Sequence, residues 1–322
     1  MSNSKQSALV HLASGIGNIV FATPLVIALS ELGLQTDLLL DADYAPTIEL
    51  LRPWSAVRTI FERHKHVNLD SYNHVIPAIP PFYWRRFRHS YGSGKNVVRR
   101  PPDQLFYQNE QEFYLSFARA LGYPSSERPL YRLPVAPSDQ FDLRAQTLVI
   151  AAGCKTGEMA FKRWPFFPQL AQRFEHVVLV GTADDMRDAH GEPYHFHNHV
   201  ESYIDRLSLR ETAELMATAG AVVGNDSGLC HISSALGTPT LILFGPTPHG
   251  TLGQFPDNVH VLRAGLECEP CWFAKRFQAC QGRIDCLANI SVDRVEAELR
   301  HLLGSSPTTS HSFTQIVRSR KP

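Results

Sequence analysis

The sequence predicts an α/β protein built as two units, each with a parallel sheet, facing each other across a cleft. Length points to two units, because 322 residues is about twice the ~100–150 at which domains cluster. Pattern points to parallel sheets: short β-branched runs alternate with amphipathic stretches, the order of βαβ units. The proline-rich segment Leu133-Pro-Val-Ala-Pro-Ser138 separates one such series from the next. The expected division is residues 1–135, residues 136–305, and a Ser/Thr-rich tail, 306–322, expected to be disordered.

The first series opens with a buried strand over 8–12 and the glycine-rich Ser14-Gly-Ile-Gly-Asn18. Apolar residues at helical spacing predict a helix over 19–32, with Gly33 as its stop. Strands are expected over 36–40, ending at Asp41, and over 57–61 and 74–79. Residues 80–102 are aromatic and basic and read as a loop, and a helix over 104–121 follows. The second series runs strand 147–151, helix 167–174, strand 176–180, helix 210–219 and strand 221–224. A helix over 227–236, with Ser227 at its cap, a strand over 240–244 and a closing helix over 292–303 complete it. There is no internal repeat, which excludes solenoids and propellers.

Composition narrows the function classes. Hydrophobic residues are 43% and charged residues 19% of the chain, which excludes a mainly disordered protein. Lys+Arg and Asp+Glu are 31 each, so a nucleic-acid partner is not expected and any anionic ligand must meet a local patch. No apolar run approaches the ~20 residues of a membrane span. The N-terminal residues lack the apolar core of a signal peptide, so a cytoplasmic address is expected.

Gly15-x-Gly17 follows a strand and opens a helix, where unpaired amides can meet an anion. Asp41 ends the second strand, as a dinucleotide fingerprint would have it. Val20 holds the place of the third glycine, however, which argues against an NAD-dependent oxidoreductase. A tight turn serving the chain reversal and a loop lining the cleft, with Gly17 in it, both stay open.

The most informative segment is Val223-Gly-Asn-Asp-Ser-Gly-Leu-Cys-His-Ile-Ser-Ser-Ala-Leu-Gly-Thr-Pro239, followed by Phe244-Gly-Pro-Thr247. It reads as strand, acidic turn and helix, then strand and a second turn. Asp226 would accept hydrogen bonds from sugar hydroxyls. Ser227, Gly228 and Leu229 would offer helix N-terminal amides to phosphate. His231, one turn on, either faces the same pocket or is a satisfied, half-buried histidine.

These motifs are similar to the signature of glycosyltransferase family 9, the bacterial heptosyltransferases of lipopolysaccharide assembly. Gly17-Asn-Ile-Val-Phe-Ala-Thr-Pro24, Lys162-Arg-Trp-Pro165 and Leu207-Ser-Leu-Arg-Glu-Thr-Ala-Glu-Leu-Met216 resemble further motifs of that family. The likeness spans residues 8 to about 303 and is weakest over 60–135. It implies a GT-B fold, two Rossmann-like domains with the acceptor on the first and the nucleotide-sugar on the second. It also implies transfer of a heptose, usually from an ADP-activated donor, to a sugar or glycolipid acceptor. It implies inversion of the sugar and no required metal, and the expected cytoplasmic address extends to a peripheral place at the inner membrane face. By the same resemblance Lys162 contacts the diphosphate, and Asp226, Ser227, Gly228, Leu229 and His231 surround diphosphate and sugar. Gly181, Thr182, Asp184 and Asp185 would lie near the nucleoside.

One position departs from the pattern. Where the family usually carries an Asp that serves as the base, this chain has Asn18, and an amide takes no proton near neutral pH. Three readings stay open. Another residue is the base, with His11, Asp41 and Glu158 the nearest choices; the acceptor needs little deprotonation; or the chain binds a sugar-nucleotide with little or no catalysis.

Arg85, Arg86, Arg88, Lys95, Arg99 and Arg100 crowd one stretch. They form either a solvated face or a patch for an anionic glycan or glycolipid acceptor, with peripheral contact to a membrane surface. Cys268, Cys271, Cys280 and Cys286 also crowd one segment. A structural zinc, a disulfide or redox-sensitive cluster, and packed thiols are the three readings.

Overall fold

The computed structural model describes residues 6–62, 67–91, 94–154, 157–272, 280 and 283–305; the segment expected to be a disordered tail lies outside them. Its first sheet holds β1 (Ser7–Leu12), β2 (Gln35–Leu40), β3 (Val57–Phe61) and β4 (His74–Pro77) in the order β3-β2-β1-β4. The second holds β5 (Leu148–Ala151), β6 (Val177–Leu179), β7 (Glu201–Ser202), β8 (Ala221–Asn225), β9 (Thr240–Leu243) and β10 (Val259–Leu262). Their order is β10-β9-β8-β5-β6-β7. Every strand pair in both sheets is parallel. Leu9, Val10, Val149, Ile150, Val222 and Val223 are wholly buried. Helices cover both faces of each sheet, which is why the strands read as unbroken apolar runs.

Several elements differ from expectation, each for a local reason. The expected helix over 19–32 is two helices, α1 (Ile16–Phe21) and α2 (Thr23–Glu31), because Pro24 brings no N–H to a continuous ladder. The short α3 (Ile48–Leu51) precedes β3. The basic stretch, expected as a loop, forms α4 (Pro81–Tyr91). Its Trp84, Phe87 and Tyr91 turn toward β1 and β4, while Arg85, Arg86 and Arg88 stay exposed. The expected helix over 104–121 divides into α5 (Asp103–Gln108) and α6 (Glu110–Arg119). Asn109 is extended there, and its side chain accepts the Glu112 N–H at 2.9 Å, so it ends one helix and caps the next.

The second unit adds α7 (Phe167–Ala171), α8 (Leu209–Thr218), α9 (Gly228–Leu236), α10 (Asp285–Ala288) and α11 (Val292–Ser305). The proline-rich connection between the units is irregular, yet docked. Tyr131 Oη lies 2.5 Å from Ser234 Oγ, and the Leu133 N–H donates to Ala235 of α9. Val10 and Phe21 of the first unit share one hydrophobic core with Val222 and Phe244 of the second.

The units meet where α1 touches α9, and glycine lets them meet. A Cβ on Gly17 would stand 2.8 Å from Cδ2 of His231, and one on Gly228 would stand 2.9 Å from Cβ of Ile16. Each helix start fills the space that a side chain on the other would need. Gly17→Ala is therefore expected to lower stability by about 1–3 kcal/mol through overpacking. A lower urea midpoint at unchanged slope would show it; an unmoved midpoint would mean the two turns are not in contact.

Candidate functional site

β8 ends at Asn225, whose side chain is fully buried and links three segments. Its Oδ1 accepts the Trp164 N–H at 2.9 Å, and its Nδ2 donates to the Ala152 carbonyl at 2.6 Å. Trp164 is anchored in turn by its indole N–H on the Ile290 carbonyl at 2.9 Å. This lacing sets Lys162, two residues back, against the next residue of the β8 turn, Asp226.

Asp226 is the centre of the site. Lys162 Nζ donates to its carbonyl at 2.6 Å and to Oδ2 at 2.9 Å. Thr247, from the turn after β9, donates its hydroxyl to Oδ2 at 2.8 Å, and His231 Nε2 lies 2.9 Å from Oδ1. Three sequence motifs thus converge on one carboxylate. Burial alone would raise the Asp226 pKa, but Lys162 and His231 outweigh it and hold the group well below the usual carboxylate range.

Two features leave this centre open to an anion. The Lys162 ammonium has three N–H groups and spends two on Asp226. Ser227 is the N-cap residue of α9, but its hydroxyl makes no cap bond, contrary to expectation, so no side chain caps the first amides of the helix. His231 with its Nε2–H on Asp226 leaves Nδ1 bare, and that atom is enclosed without a partner among the described residues.

The first unit brings two residues to the same place. Asn18, half-buried on α1, donates its amide to Glu110 Oε1 at 2.6 Å. Glu110 is the first residue of α6 and is 4% exposed. Burial pushes its carboxyl up to about 8; the nearby Asp226 charge adds to this, and the Asn18 hydrogen bond opposes it. The sequence reading missed Glu110, because a glutamate in the first turn of a helix is ordinary. The spacing Asn109-x-x-Glu112 is the signal that marks a helix start there.

Other expected site residues fall elsewhere. His11 is buried beneath Phe87 and meets the Tyr91 hydroxyl. Asp41 caps the turn after β2 and pairs with Arg86 at 3.4 Å. The side chain of Glu158 lies outside those described. Thr182 is exposed and its hydroxyl donates to Asp185 Oδ2 at 3.0 Å; Asp185 fills the space over Gly153 and Gly181. At the first glycine turn His231 packs against Gly17.

Cys271 and Cys286 are buried, Cys280 is half-buried and Cys268 is exposed. Among the described residues no three His, Cys, Asp or Glu side chains are grouped to hold a metal ion. A cavity of about 600 Å³ lined by Met186, Tyr194 and Phe196 holds none of the motif residues. No helix among the described residues is long and apolar enough to cross a membrane.

The model of glycosyltransferase family 9 (heptosyltransferase) matches residues 85–279, more than half of the chain. The chain belongs to glycosyltransferase family 9. Among curated relatives, lipopolysaccharide heptosyltransferase 1 of Pseudomonas aeruginosa is 34% identical over 163 residues, 48% of this chain and 44% of the relative. The chain thus spans less than half the length of that relative. Among solved structures, the ADP-heptose lipopolysaccharide heptosyltransferase II of Escherichia coli superposes with a TM-score of 0.67 at 21% identity. That match covers 92% of this chain and 98% of the other. An E. coli heptosyltransferase solved with ADP-2-deoxy-2-fluoro heptose gives 0.62 at 16% identity, covering 92% and 99%. These likenesses identify the family 9 fold as the GT-B arrangement of two parallel-sheet units.

The elevated Glu110 carboxyl has a thermodynamic consequence. Its folded-state pKa, about 8, exceeds the ordinary 4.5. Its stabilising contribution is therefore full below pH 4.5 and is lost as pH rises through about 8. Melting temperatures compared between pH 5 and 8 should show the wild-type chain losing stability relative to Glu110→Gln. The slope should approach ~1.4 kcal/mol per pH unit. Parallel curves would mean that Glu110 titrates normally.

Proposed function

We propose that this family 9 protein is an inverting glycosyltransferase that moves a heptose from ADP-heptose to a sugar of an anionic glycolipid. The observation that carries this reading is the convergence of Lys162, Thr247 and His231 on Asp226 at the uncapped start of α9. The names of the relatives supply the sugar and the nucleotide.

The residues fit the chemistry of displacing a diphosphate. Charge gathers on the departing phosphate oxygens, and the third Lys162 N–H and the α9 amides at Ser227, Gly228 and Leu229 are placed to receive it. These donors are fixed before the donor binds, so little reorganisation accompanies the reaction. Asp226, ionised and held from three sides, would accept from the sugar hydroxyls and orient the ring. In this reading Lys162 and the amides neutralise the phosphate without a metal. A structural zinc at the cysteine cluster would be a separate matter.

The acceptor side is α4. Arg85, Arg86 and Arg88 are exposed, and the pairing of Arg86 with Asp41 places this face at the carboxyl end of β2. In open α/β sheets that end is where ligands collect. Clustered guanidiniums suit phosphate or carboxylate groups on a glycolipid. Near anionic lipid each is worth ~1 kcal/mol, which supports peripheral contact with the inner membrane face. Asn18 supports a second reading, a sugar-nucleotide binder that does not transfer.

Thermal stabilisation tests the donor site. ADP-heptose at about 100 times its dissociation constant should add ~2.7 kcal/mol, with smaller shifts from UDP-, GDP- and CMP-sugars. Lys162→Ala and Asp226→Ala should abolish the shift. No shift with any sugar-nucleotide would overturn the reading, and a shift without transfer to any glycolipid would favour the binder.

A further inference from the structure

Transfer to a hydroxyl needs a group that takes the proton, and the site can be searched for one. Asp226 is unsuited, since Lys162 Nζ, Thr247 and His231 all stabilise its ionised form. His231 has Nε2 committed to Asp226, and its Nδ1 is enclosed. Lys162 is an ammonium already holding Asp226. His11 meets the Tyr91 hydroxyl, and Asp41 pairs with Arg86.

Glu110 has the required properties. It stands where α6 begins, at the junction of the units, and Gln111 beside it donates to the Gln254 carbonyl of the second unit at 3.0 Å. Its Oε1 accepts from the Asn18 amide, Tyr114 of the same helix lies close to the carboxyl, and the residue is 4% exposed. The groups facing it are Asn18 from α1, Tyr114 from its own helix and Asp226, with Lys162 and His231, from the second unit.

We propose that Glu110 is the general base of the transfer, and that Asn18 is the positioning residue that fixes its carboxylate. The assignment rests on the glycosyltransferase reading. In the step, the acceptor O–H bond breaks and its proton passes to Oε2 of Glu110, the oxygen that Asn18 does not hold. The oxygen's electron pair forms the new bond to the anomeric carbon of the donor sugar. The bond from that carbon to the diphosphate breaks, its pair leaving on the diphosphate, where Lys162 and the α9 amides receive the charge. Glu110 then releases its proton to water. A base titrating near the working pH balances the deprotonated fraction against proton affinity, and Glu110, raised to about 8 by burial, lies close to that point.

The experiment compares wild type, Glu110→Gln, Glu110→Asp and Asn18→Asp in ADP-heptose binding and in the pH dependence of transfer to a heptose-deficient glycolipid. Wild-type kcat/KM should rise with pH to a midpoint near 8. Glu110→Gln should lower it by about 10²–10⁴-fold, remove the rising limb and leave ADP-heptose affinity within about threefold. Glu110→Asp, which keeps the charge should the Gln variant not fold, should retain partial transfer with a moved midpoint. Asn18→Asp places two carboxylates in contact, so they share a proton and the midpoint moves up. Glu110→Gln within tenfold of wild type with its limb intact, or Asn18→Asp raising transfer at pH 7, would overturn the assignment. Wild type that binds ADP-heptose without transferring it would overturn the base alone. Wild type that does neither would overturn the transferase reading and the base with it.

Discussion

The contact between the first turns of α1 and α9 is the constraint on which the rest of the molecule depends. Gly17 lies flat on His231, and Gly228 lies against Ile16. Neither helix start can approach the other if it carries a Cβ at these points. Their closeness brings a residue of the first unit, Asn18, and a residue of the second, Asp226, to one place. The docked connection reinforces it, because Tyr131 and Leu133 fasten the first unit's exit to α9. The shared core adds apolar burial across the same junction.

Two carboxylates flank this junction in opposite electrostatic states. Asp226 is surrounded by an ammonium, an imidazole and a hydroxyl, and stays ionised despite burial. Glu110 is as enclosed but meets an amide and a tyrosine rather than a cation, and Asp226 is near enough to discourage a second negative charge. Pairs of acids driven apart in this way divide labour: one holds a fixed charge while the other carries protons. On the proposed mechanism the fixed charge belongs to the unit that would offer its amides to phosphate, and the proton carrier to the unit with the exposed arginines.

Much of this was legible in the chain. The strands announce themselves as unbroken apolar runs, and the acidic turn after β8 stands out because a carboxylate at a strand's end needs a purpose. The convergence of Lys162 and Asp226 followed from the family likeness. Glu110 was not legible, because sequence does not say which of several glutamates a fold will bury. Reading residues 104–121 as one helix hid it further, since the break at Asn109 makes Glu110 a first-turn residue at the junction. Charge and two prolines disguised α4 as a loop, although Trp84, Phe87 and Tyr91 keep helical spacing. The strand β7 is two residues long, and β10 carries His260 and is largely half-buried, so neither reads as an apolar run.

The most direct measurement is a crystal structure with a non-transferable ADP-heptose analogue. The diphosphate should lie on the first amides of α9 with Lys162 Nζ in contact, and Oε2 of Glu110 should face the sugar across from the leaving group. A diphosphate seated at the first glycine turn, or a Glu110 carboxyl turned away from the sugar and sealed from it, would contradict the account.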